Sequence, residues 1–366
     1  MTPRTPGKTP ARPRTASAVK SALATLAALS LHAANARPAR RRTALVAYAV
    51  ALILLLATAL AGIAFGAVSL SPADVVDGLT GGANTFIVQE YRLPRVAVSI
   101  LAGAALGVAG VFLQAALRNP LASPDVVGFT KGGGVGAMAA VMLSSPAAQA
   151  WAIPVGVIAG TSVTAAGLLL ISRRLGGSLT TLVLVGAALS ALAGAAIEYL
   201  LVREPQSADQ AMVWLAGSVY GSDRADVTAL LAWLAVCLPL VVLATRSVDV
   251  AGFGDDSVVS LGRHPVRVRA LLVTAAVLLT AGAVTSVGGI GFLGLLAPHL
   301  ARFAVGSRGH RLVPMAALTG ALILCLADFA GRVVAVPNEI PAGIVAVVVG
   351  GPYLLYLLIR ETRKHA

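Results

Sequence analysis

Polar and charged positions along this chain fall in narrow bands between long apolar runs. A helix needs about 20 mostly apolar residues to cross the hydrocarbon core of a bilayer. Runs of that kind lie near 44–70, 96–117, 127–145, 151–171, 182–202 and 227–244. A charge-free run then extends from Ala270 to Leu300, too long for one helix of ordinary tilt and short for two full ones. Gly288-Gly289-Ile290-Gly291 punctuates it, so it divides into a seventh span and an eighth that ends near Val305. The ninth covers about 312–331 and the tenth about 342–359. The pattern predicts an all-α polytopic membrane protein with about ten transmembrane helices.

Composition agrees: 57% of the 366 residues are hydrophobic, 12% are charged, and mean hydropathy is +0.86, above the range of soluble domains. A net charge of +13 would point a soluble protein toward nucleic acid, but here the positions of the basic residues report membrane orientation instead. With ten spans and the amino terminus inside, 22 of the 28 Lys and Arg fall on the cytoplasmic side, five outside, and Lys131 within a span. Without the nine that precede residue 43 the ratio is still 13 to 5, the positive-inside pattern, which puts both termini in the cytoplasm. The five external exceptions are Arg92, Arg95, Arg203, Arg224 and Arg332. Held against the topological bias, they are candidates for a specific task.

Residues 1–43 carry nine Lys or Arg, no acid, and many Pro, Ala and Thr, a composition that buries too little apolar surface to fold alone. They read as a disordered basic cytoplasmic tail against anionic lipid. The competing reading is a signal peptide made of Lys20, an apolar 21–31 and Ala34-Asn35-Ala36, but cleavage there would leave Arg37, Arg40, Arg41 and Arg42 outside. A ten-helix transmembrane domain then covers 44–360, with a cytoplasmic loop at 249–269 and a short cytoplasmic tail at 361–366. Cys237 and Cys325 both fall in apolar runs, so neither a disulfide framework nor a cysteine metal site is indicated. Gly103 to Gly107 and Gly132 to Gly136 have the GxxxG spacing through which membrane helices approach closely, a packing device that identifies no function.

Motifs narrow the reading. RLPR at 92–95 precedes GAALGVAGVFLQAALRNPLASPDVVG, Gly103 to Gly128, and VLVGAALSAL follows in the fifth span. GDDSVVSLG occupies 254–262, GGIGFLGLLAPHLAR runs from Gly288 to Arg302, and LADFAGR, NEIPAGIV and GGPYLLYLL follow at 326–332, 338–345 and 350–358. In this order and spacing, over about residues 45–360, the set resembles the FecCD-type permease subunits of ABC importers for iron-siderophore complexes, heme and cobalamin.

The resemblance implies a multi-pass protein of a bacterial cytoplasmic membrane, working with a second permease copy or a related permease, two ATP-binding subunits and an extracytoplasmic substrate-binding protein. It implies that ATP and Mg are bound by the partner subunits, with no cofactor in this chain. No GxxxxGK[ST] phosphate loop occurs, so this chain lacks the usual nest and lysine for hydrolysing ATP. By the same resemblance Arg92, Arg95 and Arg332 contact acidic residues of the binding protein, a role suited to guanidinium forks. The residues alone leave snorkelling or an internal pair, such as Asp328 with Arg332 one turn later, equally open. Pro94 suits the first turn of a helix.

In the loop, Gly254, Asp255, Asp256, Ser257, Leu261 and Gly262 are implied to engage the ATPase, and GDDSVVSLG followed by Arg263-His264-Pro265 predicts two short helices. Val258 departs from the small residue usual there. An ordinary amphipathic loop at the lipid surface is the alternative. Asn119 and Leu121, at the proline-broken end of the second span, and Ser178, Leu179, Thr180 and Thr181, before the fifth, are implied to form an inner gate.

Lys131, where the family has a small or polar residue, is a possible pathway charge that would attract an anionic substrate, or it snorkels to the inner surface. Glu198, deep in the fifth span, poses the matching question. His299 after Pro298 reads as a packing residue, and the other histidines show no metal spacing. No Ser-His-Asp order or GxSxG elbow supports an intramembrane enzyme. The reading that follows is carriage of iron(III)-siderophore driven by separate ATPase subunits. Cobalamin or heme is the competing cargo. An ion-coupled secondary transporter using Lys131, Glu198 and Asp328 as a relay is the competing class.

Overall fold

Thirteen α-helices, with one turn of 3-10 helix and one π-helix, account for the elements of a computed structural model that describes residues 41–66, 68–175, 179–203, 208–253, 255–335 and 338–365. They form one unit, Arg41–Ala366. Of the tail predicted for residues 1–43, residues 1–40 lie outside the described residues, as do Ser178 and Gly254, while 41–43 already belong to the first helix.

The chain opens with α1 (Arg41–Ala64) and a short α2 (Pro72–Thr80). A capping box starts α2, with Ser71 Oγ accepting from the Asp74 N–H and Asp74 returning the bond to the Ser71 N–H; Gly81 ends it at φ +97°. A π-helical segment, Phe86–Arg92, runs directly into α3 (Leu93–Leu117), with Pro94 in the first α-turn, where its missing N–H costs nothing. Then come α4 (Phe129–Leu143), α5 (Gln149–Arg174), α6 (Leu179–Arg203), α7 (Ala208–Ala216) and α8 (Arg224–Ala251), the last opened by a capping box between Asp223 and Asp226. A six-residue helix, α9 (Asp255–Ser260), leads to α10 (Pro265–Val287), α11 (Leu293–Val305), α12 (Gly309–Val334) and α13 (Ala342–His365).

Seven of these helices are long and apolar enough to cross a membrane, by length and composition. Shorter apolar helices, Phe129–Leu143, Leu293–Val305 and Ala342–Tyr353, occupy the places of the third, eighth and tenth expected spans. Exposed apolar side chains such as Leu45, Ile53 and Leu60 stud α1, as expected of a helix facing hydrocarbon.

The core is built around α3, which packs against α8, α10, α11 and α12 and is buried over most of its length. Its small residues make this possible. A Cβ on Gly107 would come within 2.2 Å of the Ala316 carbonyl oxygen, and one on Gly103 within 2.5 Å of that of Gly320. The second GxxxG pair does the same between α4 and α5, where Gly136 faces the Gly156 carbonyl and Gly132 faces Gly160 and Thr164. Both pairs predicted as close-approach sites are therefore helix contacts.

Three expectations need correction. The first span ends at Ala64 rather than 70, because Arg92 binds its terminal carbonyls and the chain leaves the helix there. The loop at 249–269 holds one short helix among the described residues, not two, since Pro265 occupies the first turn of α10 and starts a long helix instead. The predicted tail after residue 360 continues α13 to His365, with no Gly or Pro in 361–365 to stop it.

Candidate transport pathway and coupling site

At the end of the bundle where α1 finishes and α3 begins, the three arginines expected to dock a partner are all inside the protein. Arg92, Arg95 and Arg332 are 5%, 3% and 5% exposed. Arg92 donates from Nη1 to the carbonyls of Ile63 and Ala64, at 2.6 and 2.9 Å, and from Nη2 to that of Val68. It caps the carboxyl end of α1, where orphan carbonyls and the helix dipole both favour a cation. Arg95 donates from Nε and Nη2 to Asp328 Oδ1, at 2.9 and 2.7 Å, and from Nη1 to Glu339 Oε2 at 2.7 Å. Arg332 pairs with Asp328 Oδ2 at 3.0 Å, the internal one-turn pair, and donates to the Gly62 carbonyl. Three cations thus share two carboxylates and four backbone carbonyls. The Nε of Arg332 has no hydrogen-bond partner among the described residues.

Around this knot the surface is aromatic and mixed in charge. Tyr220 lies under the Arg95 guanidinium, 5.7 Å from ring centroid to Cζ, and meets Tyr91 edge-on at 6.4 Å. Arg224 pairs with Glu90 at 2.8 Å, and both are exposed. Of the five external arginines, Arg224 and Arg203 present their charge to solvent, Arg203 donating from Nη1 to Tyr199 Oη at 3.3 Å.

At the opposite end, Asp255 opens α9 and binds two arginines, one just past the end of α3 and one in α10. Arg118, just past the end of α3 in the left-handed region at φ 45°, donates to Asp255 at 2.7 Å and to the Ala251 carbonyl at 2.8 Å. Arg269 in α10 donates from Nη2 to both Asp255 oxygens, at 2.9 and 2.7 Å. Val258 is buried in the core beneath α9, which accounts for a branched apolar residue at that position. Asp256 and Leu261 are exposed, and Gly262 turns the chain at φ +72°. Phe253 and Val259 are exposed beside them, a small apolar face. The Ser257 side chain lies outside the described residues.

Between the two ends runs irregular backbone. Gly288 to Phe292 crosses the chain that follows α7: the Gly289 N–H donates to the Trp214 carbonyl at 3.1 Å and the Ser218 N–H to that of Val287 at 2.9 Å. A Cβ on Gly288, at φ +68°, would fall 2.0 Å from the Trp214 oxygen. Non-helical backbone at membrane depth is tolerated where protein supplies its partners, as here. Phe292 sits at φ 63°, uncommon for a bulky residue and a place where backbone strain is held.

Lys131 lies on the first turn of α4, half-buried, its Nζ directed at Gly194 in α6; a Cβ on that glycine would be 3.8 Å away. It makes no hydrogen bond or ion pair with any described residue. Asp125, in the loop before α4, is within electrostatic reach of it, and its carboxylate abuts Gly291. Glu198, one turn beyond Gly194, is exposed. Lys131 and Asp125 lie at the face where α4, α6 and the glycine crossing meet. Asp125 belongs to the Gly103 to Gly128 motif, and the signal that marks it in the sequence is an acid amid apolar spans.

For the expected gate, Asn119 is half-buried and its Oδ1 accepts from the Leu121 N–H at 2.9 Å, holding the turn after α3. The loop then lies along the middle of α6, with Gly128 against Ser190 and Val127 against Gly186. Thr180 and Thr181 belong to the first turn of α6, the former exposed; the Leu179 side chain lies outside the described residues. Asp328 is held by Arg95 and Arg332 at the far end from α9, apart from the Lys131 group, so the three members of the supposed relay are not brought together. His299 packs edge-on against Tyr353 at 5.8 Å. Among the described residues no group of three His, Cys, Asp or Glu could hold a metal.

The chain matches the FecCD transport family across residues 52–360. It is 42% identical over 327 residues to the Fe(3+)-citrate import system permease protein YfmE of Bacillus subtilis, covering 89% of this chain and 98% of that protein. It is 37% identical over 279 residues to the cobalamin import system permease protein BtuC of Halobacterium salinarum, covering 76% of this chain and 74% of that one. Among solved structures, an inward-facing metal-chelate type ABC transporter superposes with a TM-score of 0.76 at 27% identity, covering 86% of this chain and 99% of that chain.

Proposed function

The chain belongs to the FecCD transport family, and from that premise we propose that it carries an anionic iron(III) chelate inward across a bacterial cytoplasmic membrane. It is a multi-pass membrane protein and the permease subunit of an ATP-binding-cassette importer, whose ATPase activity lies in separate subunits. The ion-coupled and enzymatic alternatives fall with that membership.

The observation that carries the cargo assignment is Lys131, an ammonium that makes no direct ion pair with a described residue, with Asp125 within electrostatic reach, at the meeting of α4, α6 and the glycine crossing. A cation within an apolar bundle costs a few kcal/mol, about 2.5–3.5 on insertion scales, unless water or a counter-ion reaches it. A passing carboxylate-rich chelate is such a counter-ion. The relative named for ferric citrate carries cargo of this chemistry. Cobalamin lacks the strong negative charge that Lys131 would favour.

The Asp255 end faces the cytoplasm in this proposal, as the bias of 13 basic residues against 5 favours. The exposed Phe253, Val259 and Leu261 then meet the ATPase partner, and Asp255 passes its movement through Arg118 to α3 and through Arg269 to α10. The gate residues Asn119, Leu121 and Ser178 to Thr181 open and close the same side. On the outer side a binding protein seats on the rim of Tyr220, Glu90 and Arg224. Arg92, Arg95 and Arg332 shape that rim from beneath and would meet acidic partners directly only after releasing their present ones. A second permease copy, identical or related, completes the pathway.

The test is uptake by proteoliposomes holding the permease, its ATPase and its binding protein. Radioiron supplied as citrate or hydroxycarboxylate chelate should accumulate with ATP inside, and cobalamin should not. Accumulation of cobalamin with exclusion of the ferric chelates would overturn the assignment.

A further inference from the structure

Between α8 and α12 the protein leaves a groove of about 530 Å³, floored by Val108 of α3 and Leu279 of α10 and walled by Leu238 and Val242 on one side and Val313 and Pro314 on the other. The small side chains of Ala104, Ala105 and Ala317 keep it from being filled. Among the described residues its lining contains no acid, and its only charged or ionisable ones, Arg246 and His310, stand together at the end nearest α9. Both are exposed, and neither makes a hydrogen bond or ion pair with a described residue. The nearest acid in sequence, Asp249, is already taken: its Oδ1 accepts from the Gly309 N–H at 2.7 Å, where it caps α12.

An apolar slot with cations at one end has the polarity of a phospholipid. Its volume is on the scale of one acyl chain. Helix faces around it, including Leu231, Val236 and Leu243 of α8, are exposed and apolar, so the groove opens toward hydrocarbon. On the orientation proposed above, on which this inference rests for its sidedness, the basic end lies at the inner leaflet, where anionic headgroups are attracted to such pockets. We propose that the groove binds an anionic phospholipid of the inner leaflet, one acyl chain along Val108 and Leu279 and its phosphate at Arg246 and His310. The bound lipid braces the last turns of α8 against the first turns of α12, directly above the segment that leads to α9.

The permease–ATPase complex in detergent, stripped of lipid and given back phosphatidylglycerol or phosphatidylcholine of the same chains, tests this by native mass spectrometry. The wild type should retain phosphatidylglycerol over phosphatidylcholine and melt at higher temperature when it is bound. Arg246→Gln, at an exposed position that disturbs no packing, should lower that preference about fivefold, the ratio that about 1 kcal/mol per basic residue corresponds to. Ala317→Phe should fill the slot and reduce retention of both lipids. Equal retention of the two lipids by the wild type, or an unchanged preference in Arg246→Gln, would overturn the proposal. Binding in detergent does not depend on sidedness. Labelling of a cysteine placed at His310 from one side of sealed vesicles tests orientation separately, so either can fail without the other.

Discussion

Arg95 and Asp328 hold α3 to α12 through two hydrogen bonds onto one carboxylate oxygen, at 2.9 and 2.7 Å, with both side chains at most 3% exposed. Removing one partner from such a pair leaves an uncompensated buried charge, which costs about 3–5 kcal/mol, whereas replacing both with apolar groups is often neutral. Here Asp328 also balances Arg332. Asp328→Ala should therefore lower the melting temperature of the purified protein sharply, and the Arg95→Met, Asp328→Leu double variant should recover only part of the loss, because Arg332 stays buried without its carboxylate. A double variant whose loss equals the sum of the losses of its two single changes would show that the two residues are not coupled.

The helix contacts make an equally direct prediction. Gly107→Val must displace the α12 backbone at Ala316, since even a Cβ would lie 2.2 Å from that carbonyl oxygen. Overpacking of this kind costs at least about 1–3 kcal/mol. A Cβ on Gly351 meets nothing within 4 Å. Membrane yield of monodisperse protein should collapse for Gly107→Val and stay near wild type for Gly351→Ala.

Hydrophobic spacing was enough to find every long helix, because spans must be apolar whatever they pack against. It placed the glycine pairs and the break at Gly288 for the same reason: in lipid, small residues and interrupted runs have few other uses. What it could not show was where an arginine side chain points. Arg92 and Arg95 stand in a helix end that topology places outside, and from sequence that reads as exposure. Capping of α1 by Arg92 and pairing of Arg95 with Asp328 join residues more than 20 and more than 200 positions apart in the chain. No local pattern encodes those distances. Asp328 with Arg332 was legible because it spans a single turn. The Lys131 group was half-legible: the lysine stood out against its glycines, while its neighbour Asp125 was hidden in a motif quoted for other reasons.

On the opposite face from α9, the capping box of α2 predicts a pH response. The hydrogen bonds from Ser71 hold the Asp74 carboxyl below its ordinary range. A carboxylate depressed in the folded state contributes stability that is present above its unfolded pKa, about 3.9, and lost as pH falls through the lower folded value. Amide exchange across 72–80 should accelerate below about pH 4, and Asp74→Asn should abolish that acid dependence. An α2 that protects equally at both pH values would remove Asp74 from this role.

Lys131 should govern affinity for charge. Lys131→Met in reconstituted vesicles should raise the KM for a ferric carboxylate chelate about tenfold, which is 1.4 kcal/mol of lost attraction, and Lys131→Glu should raise it further. Neither should change basal ATPase of the complex, because Lys131 lies in the bundle, away from α9. An unchanged KM with both substitutions would return Lys131 to surface snorkelling and leave the cargo without a recognising charge.

Asp255 is the point where a movement of α9 must divide between α3 and α10. It is 46% exposed, while Arg118 and Arg269 are 23% and 19% exposed, so solvent screens the pairs and their worth to stability is small. Their geometry matters more. Two arginines on one carboxylate transmit displacement only while both bonds hold, and the neutral amide of Asp255→Asn has a single acceptor oxygen. That variant should assemble with the ATPase and fold with near-normal stability, yet lose transport severalfold more than it loses ATP hydrolysis. Arg118→Lys, which keeps the charge but not the fork that also holds the Ala251 carbonyl, should uncouple in the same direction. A parallel fall of transport and hydrolysis in both variants would mean that Asp255 supports binding of the ATPase rather than transmission of its motion.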